Sequence, residues 1–482
     1  MVGAGIAGLT TAYLLVCEGR NVIVLDEGPL GIGQTGRTSA HLASAIDDRF
    51  QTIEKELGLD ATKTLYQSHS AAIDKIEEIS QTEKFDCDFQ RLNGYLFRVP
   101  GDPSDFLGQE RAAAQRAGFT DCELIPDLQL DGRSMGACLR FGNQARFHPM
   151  KYLVGLAKAI KSNGGRIFTG CRITDVKGAN SKKNERARAL VDEGPLEITA
   201  NSIVVATNTP SPINDWMGIY MKQAPYRSYV VGVSVPRGSV ADALYWDNAD
   251  PYHYVRLESA GDEGILLIGG EDHKTGQTPS NFHPFEKLVE WGKRMFPMIG
   301  EVKYRWSGQV QEPSDGVAFI GRAPTAGENI YVITGDSGMG LTHGTLGAML
   351  VSDLIAHRPN TWETLYDPHR KQFNVEAVSE NVNAVSSYKD FFTPGEIGSS
   401  YDLRPGSGAI LREGLKKYAV YRANNGKVHK CSAVCTHLGC LVSFNSIEKT
   451  WDCPCHGSRF DIDGHVLMGP AVTDLKPVPN EH

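Results

Sequence analysis

Residues 3–8 read Gly3-Ala4-Gly5-Ile6-Ala7-Gly8, a G-x-G-x-x-G run. A helix-like stretch from Leu9 to Cys17 follows, then the apolar strand Val22-Ile23-Val24-Leu25, which ends in Asp26 and Glu27. In such a unit Gly3 permits the tight turn, Gly5 lets a pyrophosphate approach the backbone, and Gly8 lets helix and strand pack closely. The amides at Ile6 and Ala7 open the helix and receive the phosphate charge, while Asp26, with Glu27 beside it, takes the ribose hydroxyls. A lone run of this kind also suits a structural turn. The helix, the strand and the acid about 20 residues on turn it into a dinucleotide site. A first strand of about five residues should lead into Gly3, yet only Met1 and Val2 precede it. The chain as given is therefore expected to begin inside that strand, through a misplaced start codon or as a fragment.

Past Asp26 lies Gly31-Ile32-Gly33-Gln34-Thr35-Gly36-Arg37-Thr38-Ser39-Ala40-His41, too rich in glycine and hydroxyls for a core helix. It reads as a surface loop or as a second phosphate-holding loop through Gly33, Thr35, Thr38 and Ser39. Amphipathic periodicity predicts helices near 49–58, 61–80 and 105–118, and another after His148-Pro149. A buried strand over 201–208 carries Ala206 and Thr207, and runs at 226–235, 252–257 and 264–270 predict an inserted antiparallel sheet. The strand Ile330–Gly335 then meets the turn Gly338-Met339-Gly340-Leu341-Thr342, which opens a helix and makes a second anion-binding end.

The 482 residues are 41 % apolar, enough for about three domain-sized units and too apolar for a disordered chain. A net charge of −8 argues against a nucleic-acid binder. No apolar run reaches the about 18 residues of a membrane span, and no secretory signal precedes the first motif, so a cytoplasmic location is expected. Five of the ten cysteines fall in the last 92 residues, a concentration that suggests a metal centre rather than a disulfide scaffold.

Taken together, the N-terminal fingerprint, the second Gly/Thr loop, the Val-Ala-Thr strand and the C-terminal glycine turn resemble the FAD-dependent oxidoreductases of the D-amino-acid-oxidase, glycine-oxidase and sarcosine-oxidase class. The resemblance spans residues 1–390. It implies an α/β FAD-binding Rossmann-like domain, assembled from about 1–50, 148–215 and 305–360, with an inserted antiparallel-sheet substrate domain from about 85–147 and 216–304. It further implies that the turn from Gly335 to Thr342 approaches the flavin ring.

Residues 391–408 are rich in Gly, Ser and Pro and read as a linker. Short strands at 409–412 and 418–422 follow, then Cys435-Thr436-His437-Leu438-Gly439-Cys440 and Cys453-Pro454-Cys455-His456-Gly457-Ser458. Thiolates and imidazoles on two loops could hold zinc, although zinc ligands usually come as Cys-x-x-Cys knuckles. Both loops resemble Rieske proteins, which implies a small all-β 2Fe-2S domain over 409–482. The resemblance carries Cys435 and Cys453 to one iron and His437 and His456 to the other. It also implies a Cys440–Cys455 disulfide of the cytochrome-bc-type branch and a hydrogen bond from Ser458 to a cluster sulfide. That branch has a tyrosine where this chain has Phe460. One hydrogen bond to sulfur is then missing, and a potential below the quinol-oxidising branch is expected.

The resemblance implies oxidation of an amine or amino acid by hydride transfer to FAD, with hydrolysis of the imine and passage of electrons through the Rieske cluster to an external acceptor. Two alternatives stand: a reductase fed through the cluster, and a non-enzymatic electron-transfer or redox-sensing module. Candidate substrate residues are His273, Tyr254, Arg256 and Arg227, with Tyr229, Tyr252, His253 and Lys274 nearby; His41 and His343 flank the presumed flavin loops. Strand Arg and Tyr side chains usually form a solvated face, and an isolated His is more often structural. His273 is preferred because Gly269-Gly270-Glu271-Asp272-His273 resembles a sarcosine-oxidase segment. That branch has a lysine before the histidine that favours oxygen. Gly264–Gly270 contains no cation, so a dehydrogenase is expected.

Overall fold

A computed structural model describes residues 1–99, 105–130, 133–192, 194, 196–213, 219–260, 263–279, 281–371 and 394–478. The fingerprint glycines lead into the helix Ile6–Cys17, almost wholly apolar and buried on most of its surface. Two parallel strand pairs flank the segment before it, Ile23–Leu25 with Arg166–Phe168 and Ile203–Asn208 with Ile330–Thr334. Val2 joins them by parallel bridges to Leu25 and Val205, so one layer runs through both pairs. The helices Pro149–Ser162 and Gly340–Ile355 bury their apolar faces against this layer and the first helix.

The second layer is a nine-stranded, mostly antiparallel sheet. Its longest strand, Gln223–Pro236, pairs with Glu263–Lys274 on one side and with the edge strand Val302–Pro313 on the other. Residues 302–313 thus pair into the antiparallel sheet, whereas the expected last segment of the nucleotide domain begins at about 305. The reason is long-range pairing: the register runs from Gln223 opposite Pro313 to Val233 opposite Val302. The expected helices appear as Phe50–Leu57, Leu59–Thr82 and Phe106–Arg116.

The C-terminal unit holds two small antiparallel sheets. One comprises Ser407–Glu413, Lys416–Arg422 and Val428–Ser432; the other has four short strands from Ser443–Asn445 to Val466–Met468. The expected linker differs here. Residues 391–393 lie outside the described set, but 394–408 pack as part of this unit. The Glu396 amide donates to Ile410 O (2.8 Å), Ile397 bridges Leu411, and Leu403 is buried with Ala409, Leu411 and Val420. Gly, Ser and Pro here serve tight turns over a small core rather than a free tether. Among the described residues no helix is long and apolar enough to cross a membrane.

Candidate functional site

A cavity of about 590 Å³ opens over the fingerprint turn. Gly3 has φ +101°, and a Cβ there would lie 2.4 Å from Ala206 O; a Cβ on Gly8 would lie 2.0 Å from Gly3 O. These two glycines serve packing. Gly3 also lines the cavity, as do Gly5 and Gly33, and a Cβ on Gly33 would meet nothing within 4 Å. Asp26 accepts from the Ala4 amide (2.6 Å) and the Gly28 amide (2.9 Å), which fastens the turn to the strand end. Asp26 and Glu27 both line the cavity, as do Ile6 and Ala7 at the start of the helix. The Ile6 amide donates to Thr35 Oγ1 (3.1 Å), so the second loop sits over the helix N-terminus. Thr35, Thr38, Ser39, Ala206 and Thr207 complete this end of the wall. An open glycine cradle, helix-start amides and carboxylates at a strand end fit an FAD, whose diphosphate and ribose need those donors and acceptors.

At the other end Gly338, Met339, Gly340 and Leu341 line the cavity. Gly335 does not: with φ +73° it turns the chain against Pro313. Thr342 points away, its hydroxyl 2.7 Å from His69 Nδ1. His343 is on the wall, its Nδ1 2.8 Å from Asp336 O and its Nε2 3.2 Å from His69 Nε2. Burial pushes it down to about 4, and burial with nearby Arg256 pushes His41 down to about 3, so both rings are neutral near pH 7. Tyr252, Tyr254 and Trp246 form an aromatic wall, with the Tyr254 hydroxyl 3.1 Å from Ser228 Oγ.

Three predicted substrate residues are elsewhere. Ser228 faces the cavity, so its neighbour Arg227 on the same strand faces away. His273 lies directly opposite Arg227 and shares that face, where it bonds the Tyr229 hydroxyl (3.0 Å) and packs on Phe282. Arg227 is fully buried and paired with Glu448 at 2.8 Å. Arg256 donates to Ser39 O (2.6 Å) and Glu258 (2.7 Å), behind the flavin-side loop rather than on the wall. The strands named from the sequence reach the cavity through Ser228, Tyr252 and Tyr254, and the parity of the pleat decides which of their residues do so.

Sequence reasoning missed Asp47 and Asp336, both on the wall. Burial pushes Asp336 up to about 6 and raises Asp47 as well. An aspartate inside the glycine turn at 335–340 was the available signal; Asp47 sits in an irregular loop with none.

The cysteine–histidine loops repeat one backbone design. Each first cysteine donates its amide to the carbonyl five residues on, Cys435 to Cys440 and Cys453 to Ser458, both at 2.8 Å. The first cysteine's own carbonyl accepts from the amide of the glycine four residues on, Cys435 O from Gly439 (φ +81°) and Cys453 O from Gly457 (φ +82°). Both glycines occupy the left-handed region that lets a loop double back. Cys440 and Cys455 form a disulfide between the loops. Cys435 and Cys453 are free and buried, and the rings of His437 and His456 lie 5.0 Å apart. All four ring nitrogens of those histidines are buried without a hydrogen-bond partner. Two thiols and two unsatisfied imidazoles fit the Cys₂His₂ donor set of a Rieske cluster. Ser458 is fully buried; its Oγ accepts from the Ala471 amide (3.0 Å), and Phe460 packs in the same core as Cys435 and Cys453.

Comparison with known proteins agrees with this arrangement. Residues 1–354 match the FAD dependent oxidoreductase family and residues 394–479 the Rieske [2Fe-2S] domain. YhfW of Bacillus subtilis (strain 168), named for a Rieske 2Fe-2S iron-sulfur protein, is 29 % identical over 483 aligned residues, covering 99 % of this chain and 92 % of its own. Gamma-glutamylputrescine oxidoreductase of Escherichia coli (strain K12) is 25 % identical over 74 % of this chain and 82 % of its own. Glycine oxidase from Geobacillus kaustophilus superposes with a TM-score of 0.63 at 16 % identity, covering 77 % of this chain and 98 % of its own. The chain therefore belongs to the FAD dependent oxidoreductase family and carries a C-terminal Rieske [2Fe-2S] domain.

Proposed function

We propose that the protein oxidises an amine in the cavity and passes the electrons out through its Rieske domain. The observation that carries this reading is the shared wall: Arg459, Val466, Leu467, Met468 and Gly469 of the C-terminal unit line the same cavity as the fingerprint loops. Bound there, FAD supplies a two-electron acceptor for hydride, and the cluster a one-electron outlet.

An amine is favoured over an amino acid by the charges on the wall. Arg172 and Arg459 are ion-paired with Glu27 and Asp452, Arg227 and Arg256 are off the wall, and Arg37 turns toward Ser307 O (3.4 Å), a carbonyl that leaves its charge in place. Asp336, with Asp47 beside its own partner Arg49 (3.5 Å), attracts an ammonium group, and the neutral His41 and His343 add no cation to repel it. Tyr252, Tyr254 and Trp246 exclude water from an alkyl chain. The relative named for gamma-glutamylputrescine points the same way.

Anaerobic mixing with a panel of monoamines, diamines and amino acids tests the proposal. Amines are expected to bleach the flavin absorbance and then produce the reduced-cluster EPR signal. Bleaching only with an external electron donor, or only with amino acids, would overturn it.

A further inference from the structure

The edge of the Rieske loops that carries the two histidines faces the rest of the chain. The ring of Tyr220, 4 % exposed, lies 4.7 Å from the His437 ring and 5.4 Å from the His456 ring. The second loop meets the flavin domain backbone to backbone at Gly276 and packs its Gly457 against the side chains of Gln309 and Pro225. A Cβ on Gly276 would lie 2.6 Å from Pro454 N, and one on Gly457 2.3 Å from Gln309 Nε2. Gln309 Nε2 donates to Gly457 O (3.1 Å).

Beside this contact is a buried ion cluster. Arg227, fully buried on the flavin side, donates through Nη2 to both oxygens of Glu448 (2.8 Å each). Arg459 donates to Glu448 Oε2 and Asp452 Oδ1, both at 2.9 Å. Ser307 also donates to Glu448. Two guanidinium groups thus balance two carboxylates, with the flavin domain contributing one cation. Loss of one member leaves a buried charge uncompensated, which opposes the closed interface strongly.

We propose that the histidine edge is docked on this chain's own flavin domain as the electron-transfer contact, with Tyr220 bridging to both histidines and Glu448 latching the interface. The inference rests on the electron route given above. An amine gives up two electrons and two protons on becoming an imine. The electrons cross this contact one at a time and reduce the oxidised cluster by one electron each; the protons return to solvent. An external one-electron acceptor reoxidises the cluster after each crossing. Tyr220 is a positioning residue here and neither gains nor loses an electron in net terms.

The test uses the anaerobic full-length holoprotein, with flavin reduced by a laser flash and deazariboflavin as the photoreductant. Cluster reduction is followed by its visible band and EPR signal, and docking by amide hydrogen exchange over 453–458. Tyr220→Leu should slow flavin-to-cluster transfer at least tenfold with exchange unchanged, and Tyr220→Phe should stay within twofold of wild type. Glu448→Gln should slow transfer at least tenfold and raise exchange over 453–458, while the EPR g-values stay fixed. Transfer within twofold of wild type in both Tyr220→Leu and Glu448→Gln would overturn the contact. A wild-type flavin that reduces while the cluster stays oxidised would overturn the electron route itself, a distinguishable result.

Discussion

At Gly8 one methyl group decides whether the nucleotide turn can form. A Cβ there would sit 2.0 Å from Gly3 O, a backbone atom that cannot give way. Gly8→Ala should cost about 1–3 kcal/mol, as overpacking does, and release FAD, read as loss of flavin absorbance after gel filtration. His343 allows a pH test. Its ordinary value is 6.5 and burial lowers it to about 4 in the folded chain. Acid protonates the unfolded chain first, so the contribution is complete above about pH 6.5 and is lost as pH falls toward 4, a change of about 3 kcal/mol. The stability difference between wild type and His343→Gln, from denaturant titrations, should shrink between pH 7 and pH 4.5. Taking the difference cancels the buried carboxylates, such as Asp336, that titrate in the opposite sense. Phe460 gives a third test. Phe460→Tyr would add a hydroxyl in the core that holds Cys435 and Cys453, and a hydrogen bond to sulfur raises the potential. Redox titration should find the variant's midpoint above wild type; an unchanged midpoint contradicts the assignment.

Among the elements, the segment 394–408 departs furthest from its composition. Its Gly, Ser and Pro content looks like a tether, yet Leu403 is 6 % exposed over Val420 and Leu411. Composition reports the turns; the burial of Leu403 and Ile397 depends on a sheet that forms elsewhere in the chain. Leu403→Ala should destabilise the C-terminal unit by about 2–4 kcal/mol. The reduced-cluster EPR signal should then be lost at lower temperature while the flavin spectrum persists. Equal sensitivity of both cofactors would mean that the segment belongs to the flavin domain. The candidate catalytic strands teach a related lesson. Tyr254 and Ser228 reach the cavity, while Arg227 and His273 pair on the opposite face. A bulge between Arg227 and Tyr229 shifts the register there, and no local pattern in the sequence announces it.

For the whole molecule, the seating of the cluster loops against the flavin domain bears on the final electron acceptor. On the proposed route, a docked one-electron outlet would compete with oxygen for electrons at the flavin. Lys274, the nearest cation after Gly264–Gly270, lies over the Tyr226 ring and is not on the cavity wall. Turnover with an amine should therefore give peroxide slowly and reduce an artificial one-electron acceptor faster, with acceptor reduction lost in Cys453→Ser. Full-rate stoichiometric peroxide from that variant would show that the Rieske domain is not the outlet.

The dinucleotide fingerprint, the second glycine loop and the two cysteine–histidine loops were legible residue by residue. Their chemistry is local: a glycine where no Cβ fits, an amide at a helix start, a thiol and an imidazole on one turn. The cavity's carboxylates, Asp47 and Asp336, and the union of Arg227 with Glu448 were decided only by the tertiary structure. Residues 221 positions apart share that ion pair, and pleat parity, a register shift and domain docking choose its partners. Those are properties of packed surfaces, fixed by shape and buried charge once the whole chain has folded.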